Sequence, residues 1–252
     1  MPGGSPAIIA AVFRAVRTGN AFEETVERLL EGVKLGVYAP GDRLPPEREL
    51  TRRLGVSRIT LREALRELAA AGYVETKRGR FGGTFIIRQP EPLVADELHR
   101  TARDMGAELD DALTFRRVVE TGAAEMAARA SLSRQQRESL AECLAAMEHC
   151  GSSGYRPADT RLHLAIADAA GSPQLTASVV EARVRLVDLL NAIPMLERTL
   201  EHANVQHAGI VRAILSGDPE RARRIMEEHV AGTAALLRGF LGDALKAHDS
   251  AG

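Results

Sequence analysis

Four side chains of the types that bind metal ions occupy inward-facing positions of predicted helices. Asp159 and His163 are four residues apart and so share one helix face, while His207 and His229 belong to two further helices. Apolar residues flank each of them at helical spacing, which predicts burial. Charged groups on a buried face are costly unless they are paired or bound to metal. We therefore expect the four to converge inside a helical bundle and to bind one divalent ion, first of all zinc, otherwise nickel, manganese or iron.

A second polar group lies on the same kind of face. Arg116 and Glu120 are four residues apart among Leu109, Leu113, Ala123 and Ala127, and Asn204 precedes His207 on another apolar stripe. One glutamate cannot satisfy the five donors of a guanidinium, so the remaining donors are free to bind a carboxylate in bidentate fashion. The pattern predicts a small carboxylic acid effector, such as a sugar acid or hydroxy acid, bound beside the metal by Arg116, Glu120 and Asn204.

Basic residues gather at the start of a helix in the amino-terminal third of the chain. A short helix ends at Gly55, and Ser57 is suited to cap the next helix, which starts with Arg58, Ile59, Thr60 and Arg62. A glycine-tipped hairpin follows, and together these elements outline a winged helix-turn-helix. In that motif the second helix enters the major groove of DNA. We expect Arg48 on the first helix, with Arg78 and Arg80 at the wing, to contact phosphates or the minor groove.

The remaining pattern predicts a mainly α protein of two domains. Residues 1–89 are predicted to form the winged helix-turn-helix, with helices at 8–18, 22–35, 47–54 and from 58 to 72, and strands at 74–77 and 84–87. After a linker at 89–92, residues 90–252 are predicted to form an all-α antiparallel bundle with no strand. Its helices are predicted at 93–104, 108–130, 133–149, 156–170, 174–192, 197–216 and 219–246.

Composition and charge narrow the function classes. Residues 1–90 carry 15 Lys and Arg against 10 Asp and Glu, whereas residues 91–252 carry 18 against 24, so a net +5 precedes a net −6. A basic first part is typical of a region that binds a polyanion. The 4% aromatic content without tryptophan argues against single-strand nucleic-acid binding. No long apolar run or export signal is evident, so we expect no contact with a membrane. Cys143 and Cys150 are too far apart along one predicted helix to form a disulfide bond. We therefore expect a cytoplasmic protein.

The residues around the predicted recognition helix match a known family. The run PGDRLPPERELTRRLGVSRITLREALRELAAAGYVETKRGRFGGTFI, from Pro40 to Ile86, resembles the DNA-binding domain of GntR-type bacterial transcription regulators. The resemblance implies that the operator DNA is contacted by Arg48, Ser57, Arg58, Thr60, Arg62 and Gly79. Ile59 departs from the family pattern, in which a polar residue is usual, and this departure predicts an altered base preference.

The helical remainder, across most of residues 95–245, resembles the FCD effector domain of the FadR subgroup of that family. The shared motifs are FRRVVE with Arg116 and Glu120, DTRLH with Asp159 and His163, QHAGIVRAILSGD with His207, and MEEHV with His229. In metal-containing members the matching quartet holds the ion, and the matching arginine meets a carboxylate effector. The resemblance therefore implies the same ligand set here.

The leading interpretation is a homodimeric transcription regulator, most simply a repressor, whose affinity for double-stranded operator DNA is controlled by a small organic acid. One alternative is a constitutive DNA-binding protein with a structural metal site. Another is a metal-dependent hydrolase, because an Asp/His site with open positions could activate water. The apolar stripes offer no dedicated general base, and a hydrolase would not need the basic amino-terminal domain. We therefore expect no catalytic residues.

Overall fold

The structure, a computed structural model, describes residues 5–15, 21–79, 82–88, 100, 107–192 and 197–249. The chain divides into two compact units, residues 1–91 and 92–252, each of which is described by itself below. The linker predicted at 89–92 lies outside the described residues. So does the helix predicted at 93–104, apart from Arg100.

The amino-terminal unit contains four described helices and a two-stranded antiparallel hairpin. The elements are α1 (Pro6–Val12), α2 (Ala21–Lys34), α3 (Glu47–Leu54), α4 (Arg58–Ala70), β1 (Val74–Lys77) and β2 (Gly83–Ile86). In the hairpin Val74 lies opposite Ile86 and Lys77 opposite Gly83. The backbone N–H of Leu44 donates to the carbonyl of Thr84 at 2.8 Å, which ties the segment before α3 to the free edge of β2. The predicted helix-turn-helix with a hairpin wing is confirmed.

Local sequence explains the tight turn between α3 and α4. Gly55 has φ of 69°, a left-handed conformation that other residues rarely adopt, and it ends α3. Two residues later the Ser57 hydroxyl accepts the backbone N–H of Thr60 at 3.0 Å and so caps α4. The two helices pack through a shared apolar core of Leu50, Leu54, Leu61, Leu65 and Leu68.

The carboxy-terminal unit is a helical bundle built around one central helix. The helices are α5 (Ala107–Arg129), α6 (Arg134–His149), α7 (Gly151–Ala169), α8 (Pro173–Ala192), α9 (Glu197–Ser216) and α10 (Pro219–Asp249), with no strand among residues 107–192 and 197–249. Helix α5 packs against α7, α8, α9 and α10. Small side chains on its buried faces let these neighbours approach closely, namely Ala112, Ala123, Ala124, Ala127 and Ala128.

Two helix boundaries differ clearly from the prediction. The helix predicted at 8–18 is α1, Pro6–Val12, and it ends early because Phe13 has already left the helical conformation, with φ of −95° and ψ of 52°. Helix α7 begins at Gly151, five residues before the expected start at 156, and includes the glycine- and serine-rich stretch that indicated a break. Gly151 has φ of 60°, so it reverses the chain after Cys150 and lets the next residues coil immediately. Pro157 lies inside the helix, where its missing N–H removes one backbone hydrogen bond.

Two apolar clusters enclose a layer of polar side chains in this bundle. One cluster contains Ala124, Ala127, Leu162, Ile210 and Met226 among others. The other consists of Ala112, Leu113, Leu186, Leu189, Leu190, Ala234 and Leu237. Along α5 and along α10 the charged or imidazole residues fall between the two clusters. We call this set the polar layer; its members are Arg116, Glu120, Asp159, His163, Arg183, His207 and His229, all buried.

We predict that Gly55→Ala destabilises the amino-terminal unit by about 1–2 kcal/mol, the cost of a left-handed residue that carries a Cβ. The added Cβ would meet only the Ala15 side chain, at 3.8 Å, so steric overlap is not the cause. Native-state hydrogen exchange of the α3 and α4 amides measures the change. Gly239→Ala, in open space inside α10, is the control and should not destabilise the protein. An exchange rate in α3 and α4 that Gly55→Ala leaves unchanged would contradict the explanation of the turn.

Candidate metal centre and nucleic-acid interface

The structure brings the four predicted metal ligands together. Asp159 and His163 come from α7, His207 from α9 and His229 from α10, and their ligand atoms all lie within 4.8 Å of one another. Nε2 of His207 lies 3.2 Å from Asp159 Oδ1 and 3.2 Å from His229 Nε2, and His163 Nε2 lies 3.7 Å from Asp159 Oδ1. An ion with bonds of about 2.0–2.2 Å separates neighbouring ligands by roughly 3–3.5 Å. The donor set and its spacing therefore fit a divalent ion.

Polar partners behind the imidazoles strengthen this fit. Nδ1 of His163 lies 2.8 Å from Glu120 Oε2, and Nδ1 of His229 lies 3.2 Å from Gln206 Oε1. The Gln206 oxygen takes the far ring N–H of His229 and leaves its Nε2 with a lone pair directed at the cluster, as in metal-ligating histidines. The Glu120 carboxylate lies close enough to His163 to attract it electrostatically, but Nδ1 and Oε2 do not meet hydrogen-bond geometry. His207 Nδ1 is buried and has no hydrogen-bond partner among the described residues.

The Glu120 carboxylate contacts three side chains, Arg116, Arg183 and His163, and not Arg116 alone. Its Oε1 accepts from Arg116 Nε at 3.2 Å and from Arg183 Nη1 at 3.1 Å, while its Oε2 faces His163. Burial by itself would raise the pKa of Glu120, but the charges of Arg116, His163 and Arg183 outweigh it and hold the pKa well below its usual value. Glu120 is therefore ionised, and its contact with an effector stays a prediction.

Arg183 on α8 is a member of the polar layer that the sequence reasoning missed. Its side chain is 2% exposed, and Nη2 donates to Asp159 Oδ2 and to Thr160 Oγ1 while Nη1 donates to Glu120. It links one predicted metal ligand to the carboxylate behind another. The signal that could have found it is the one that revealed Arg116, because Arg183 lies on an apolar stripe with Val179, Leu186 and Leu190.

The surroundings of Asp159, His163 and His229 shift their pKa values toward the protonation states that metal binding needs. Burial would raise the pKa of Asp159, but Arg183, His163 and His207 together hold it well below its usual value. Burial lowers the pKa of His163, against the opposing charge of Glu120, and it lowers the pKa of His229 strongly, with the neighbouring His207 and His163 adding to the effect. Neutral imidazoles and an ionised carboxylate are the forms that coordinate metal.

Two of the predicted effector-binding groups have unused polar atoms. Arg116 is buried, and its Nη1 has no hydrogen-bond partner among the described residues. The Oδ1 of Asn204, on α9, is buried and equally unpartnered. A cavity of about 310 Å³ lies between α9 and α10 and reaches His229; its other lining residues are His202, Ala203, Gln206, Gly232, Thr233 and Leu236.

In the amino-terminal unit the predicted DNA-contacting residues lie on the surface. Thr60 is half-buried and Arg80 lies outside the described residues; the others are exposed, namely Arg48, Ser57, Arg58, Ile59, Arg62, Arg78 and Gly79. Arg62 Nε donates to Glu47 Oε2 at 2.8 Å, an ion pair between largely exposed side chains of α4 and α3. The Ser57 and Thr60 hydroxyls lie 2.9 Å apart and bond to each other. The arrangement supports contact with DNA by the first turn of α4.

Comparison with protein families gives two matches, one in each unit. Residues 22–86 match the model for bacterial regulatory proteins of the gntR family, and residues 111–232 match the model for the FCD domain. The first range covers α2 to β2. The second covers all four candidate metal ligands.

Individual relatives give the same result over most of the chain. RmpR of Mycobacterium gastri, described as an HTH-type transcriptional regulator, is 34% identical over 87% of this chain and 81% of its own length. The Exu regulon transcriptional regulator of Escherichia coli is 27% identical over 86% and 84% of the two chains. The solved structure of E. coli McbR/YncC shares the fold, with a TM-score of 0.52 at 20% identity over 87% and 97% of the chains. Among the described residues no helix is both long and apolar enough to cross a membrane.

We predict that Arg183→Leu lowers the free energy of unfolding by about 3–5 kcal/mol at pH 7, because it leaves two buried carboxylates short of positive charge. Urea denaturation of the metal-free protein measures the change. The loss should shrink toward pH 4, where protonation removes the uncompensated charge. Arg185→Leu is the matched control, since that side chain is 49% exposed on the same helix and bonds Glu181 at the surface. Equal effects of the two substitutions would contradict the role of Arg183.

The lowered histidine pKa values predict an acid-sensitive carboxy-terminal unit in metal-free protein. Below pH 6.5, the ordinary histidine value, the unfolded chain takes up protons that buried His163 and His229 resist, so stability falls as the pH drops from 7 to 5. A second decrease in stability follows below about pH 4.5, because the carboxyls of the unfolded chain take up protons that Glu120 and Asp159, with their lowered pKa values, resist in the folded protein. Thermal unfolding in chelator from pH 8 to 4 tests this. His229→Gln should reduce the first decrease and exposed His149→Gln should not; the same slope in both variants would refute the assignment.

Proposed function

The chain belongs to the GntR family of bacterial transcription regulators and carries an FCD effector domain. We propose that a divalent ion and a small organic acid, both bound in its polar layer, control its affinity for operator DNA. Its relatives are transcription regulators, not enzymes, so the hydrolase suggested by the Asp/His cluster does not apply. The proposed ion ligands are Asp159, His163, His207 and His229, with zinc as the first candidate.

The charge balance of the polar layer carries the proposal. Two buried arginines, Arg116 and Arg183, match two buried carboxylates, Glu120 and Asp159, so the layer is neutral while its histidines are neutral. A divalent ion would supply two uncompensated positive charges and coordination positions for an oxygen ligand. Because buried unbalanced charge is costly, the layer with an ion favours an anion, and a neutral or cationic ligand would not relieve the imbalance.

The hydrogen-bonding groups favour a carboxylate as that anion. Arg116 Nη1 is an unused donor on a planar guanidinium, which suits the bidentate geometry of carboxylates. Asn204 Oδ1 is an unused acceptor that a hydroxyl could satisfy. One relative from E. coli, 28% identical over 79% of this chain, is named as the regulatory protein of the L-lactate dehydrogenase operon, and lactate is a hydroxy acid. We infer that the effector class is hydroxy acids or sugar acids.

On the DNA side we propose a homodimer that places two copies of α4 in successive major grooves of a pseudo-palindromic operator. Arg58 and Arg62 are assigned to base edges, and Arg48, Arg78 and the backbone of Gly79 to phosphates. The acid alters DNA affinity only if it prefers one arrangement of the two DNA-binding units, and a coupling of about 1–3 kcal/mol is usual for such systems. Release of DNA, and hence repression relieved by the acid, is the outcome we propose.

A constitutive DNA-binding protein with a structural ion is the second candidate. Four protein ligands are enough to saturate tetrahedral zinc, which favours a closed structural site. The unpartnered Nη1 of Arg116 and the cavity at His229 favour an open, ligand-responsive one. The two candidates differ in whether any acid changes DNA affinity.

We predict that lactate, gluconate or a related hydroxy acid weakens operator binding by the zinc-loaded dimer about 5- to 150-fold, the range of ordinary allosteric coupling. Fluorescence anisotropy on a labelled duplex from the upstream region of its own gene measures this. Arg116→Gln, which keeps a polar side chain but removes the charged guanidinium, should still bind DNA, and the acid should no longer weaken that binding. Exposed Arg117→Gln, the next residue of α5, should keep it.

A response retained in Arg116→Gln would contradict the assigned carboxylate contact. If no organic acid changes affinity in wild-type protein that holds the ion, the structural-ion candidate replaces the proposal.

A further inference from the structure

An isoleucine occupies the outermost position of the helix that we assign to the major groove. Ile59 is the second residue of α4 and is 69% exposed. The buried side of α4 consists of Leu61, Ala64, Leu65 and Leu68. At 100° per residue, Ile59 points within about 10° of the direction opposite to the centre of that side. Its side chain therefore projects straight away from the protein core.

The surroundings of Ile59 are charged. Arg58, Arg62, Glu63 and Arg66 are all exposed on the same helix. Single exposed apolar residues are common on protein surfaces and need no explanation by themselves. Here, however, the residue lies at the first turn of α4, where a recognition helix makes its base contacts, and the described residues of its unit leave most of its side chain exposed.

Two of the polar groups that flank Ile59 have partners within the unit. The Thr60 hydroxyl is engaged by the Ser57 hydroxyl at 2.9 Å, and Arg62 is held by Glu47 at 2.8 Å, both on the flanks of Ile59. Ile59 itself can offer only apolar contact. In the major groove the one apolar group that base pairs display is the C5 methyl of thymine.

We propose that Ile59 is a specificity-determining residue that selects thymine in each operator half-site by packing on its C5 methyl group. The inference rests on the assignment of α4 as the recognition helix under the proposed function, and it is independent of the ion and the acid. Removal of one methyl group from such a contact changes affinity about four-fold per half-site, since burial of one methyl or methylene group contributes that much. Two half-sites should give a change of roughly 15-fold.

The test replaces thymine by uracil, which pairs identically and lacks only the methyl group. Operator sequences are first selected from a random duplex library with full-length protein, and each thymine of the selected site is then replaced singly in synthetic duplexes. We expect one thymine per half-site at which uracil weakens wild-type binding about four-fold. For Ile59→Ser the thymine and uracil duplexes should bind equally at that position, and selection should no longer favour thymine there.

Two further variants make the outcome decisive. Ile87→Ser changes an isoleucine that is 47% exposed just beyond β2 and should keep the wild-type ratio of thymine to uracil affinities. Arg58→Ala should weaken binding to every duplex. If Arg58→Ala weakens binding but no uracil substitution distinguishes wild type from Ile59→Ser, the role of Ile59 is wrong and the recognition helix stands. If neither Arg58→Ala nor Ile59→Ser alters binding, the assignment of α4 itself fails.

Discussion

Two buried carboxylates, Glu120 and Asp159, set the requirements that the rest of the bundle has to meet. Each is ionised inside the protein because arginines and imidazoles surround it, and each links residues from different helices: Arg116 of α5 and Arg183 of α8 around Glu120, and His207 of α9 around Asp159. The apolar clusters on either side exclude water and strengthen these interactions. An unpaired charge in this low-dielectric layer would therefore destabilise the fold strongly. For the same reason, an added ion has its largest effect on ligand binding there.

Periodicity in the sequence predicted most of the candidate site. A charged or imidazole residue on an apolar stripe is visible from sequence alone, and the four ligands that this criterion selected do converge in the structure. Arg183 satisfies the same criterion but was not predicted. Which cation pairs with which carboxylate depends on how five helices pack, and the spacing within one helix gives no information about that. Only the folded structure shows that the Glu120 carboxylate contacts Arg116, Arg183 and His163 together.

The helix boundaries were predictable wherever capping residues mark them, as at Gly55 and Ser57. The prediction was wrong at Gly151, because glycine and serine residues that usually separate helices here form the first turn of one. In the amino-terminal unit the sequence indicated the basic face of α4. It did not reveal that Arg62 forms an exposed ion pair with Glu47, fifteen residues away.

The central claim is that an ion in the polar layer turns a neutral site into one that binds a carboxylate. Isothermal titration calorimetry of lactate and gluconate, with zinc-loaded protein and with protein stripped by chelator, tests it most directly. We expect binding of one acid per chain to the loaded protein, and affinity at least about tenfold weaker without the ion, a difference of 1.4 kcal/mol. Equal affinity with and without the ion, or tighter binding by the uncharged methyl ester of lactate, would contradict the account.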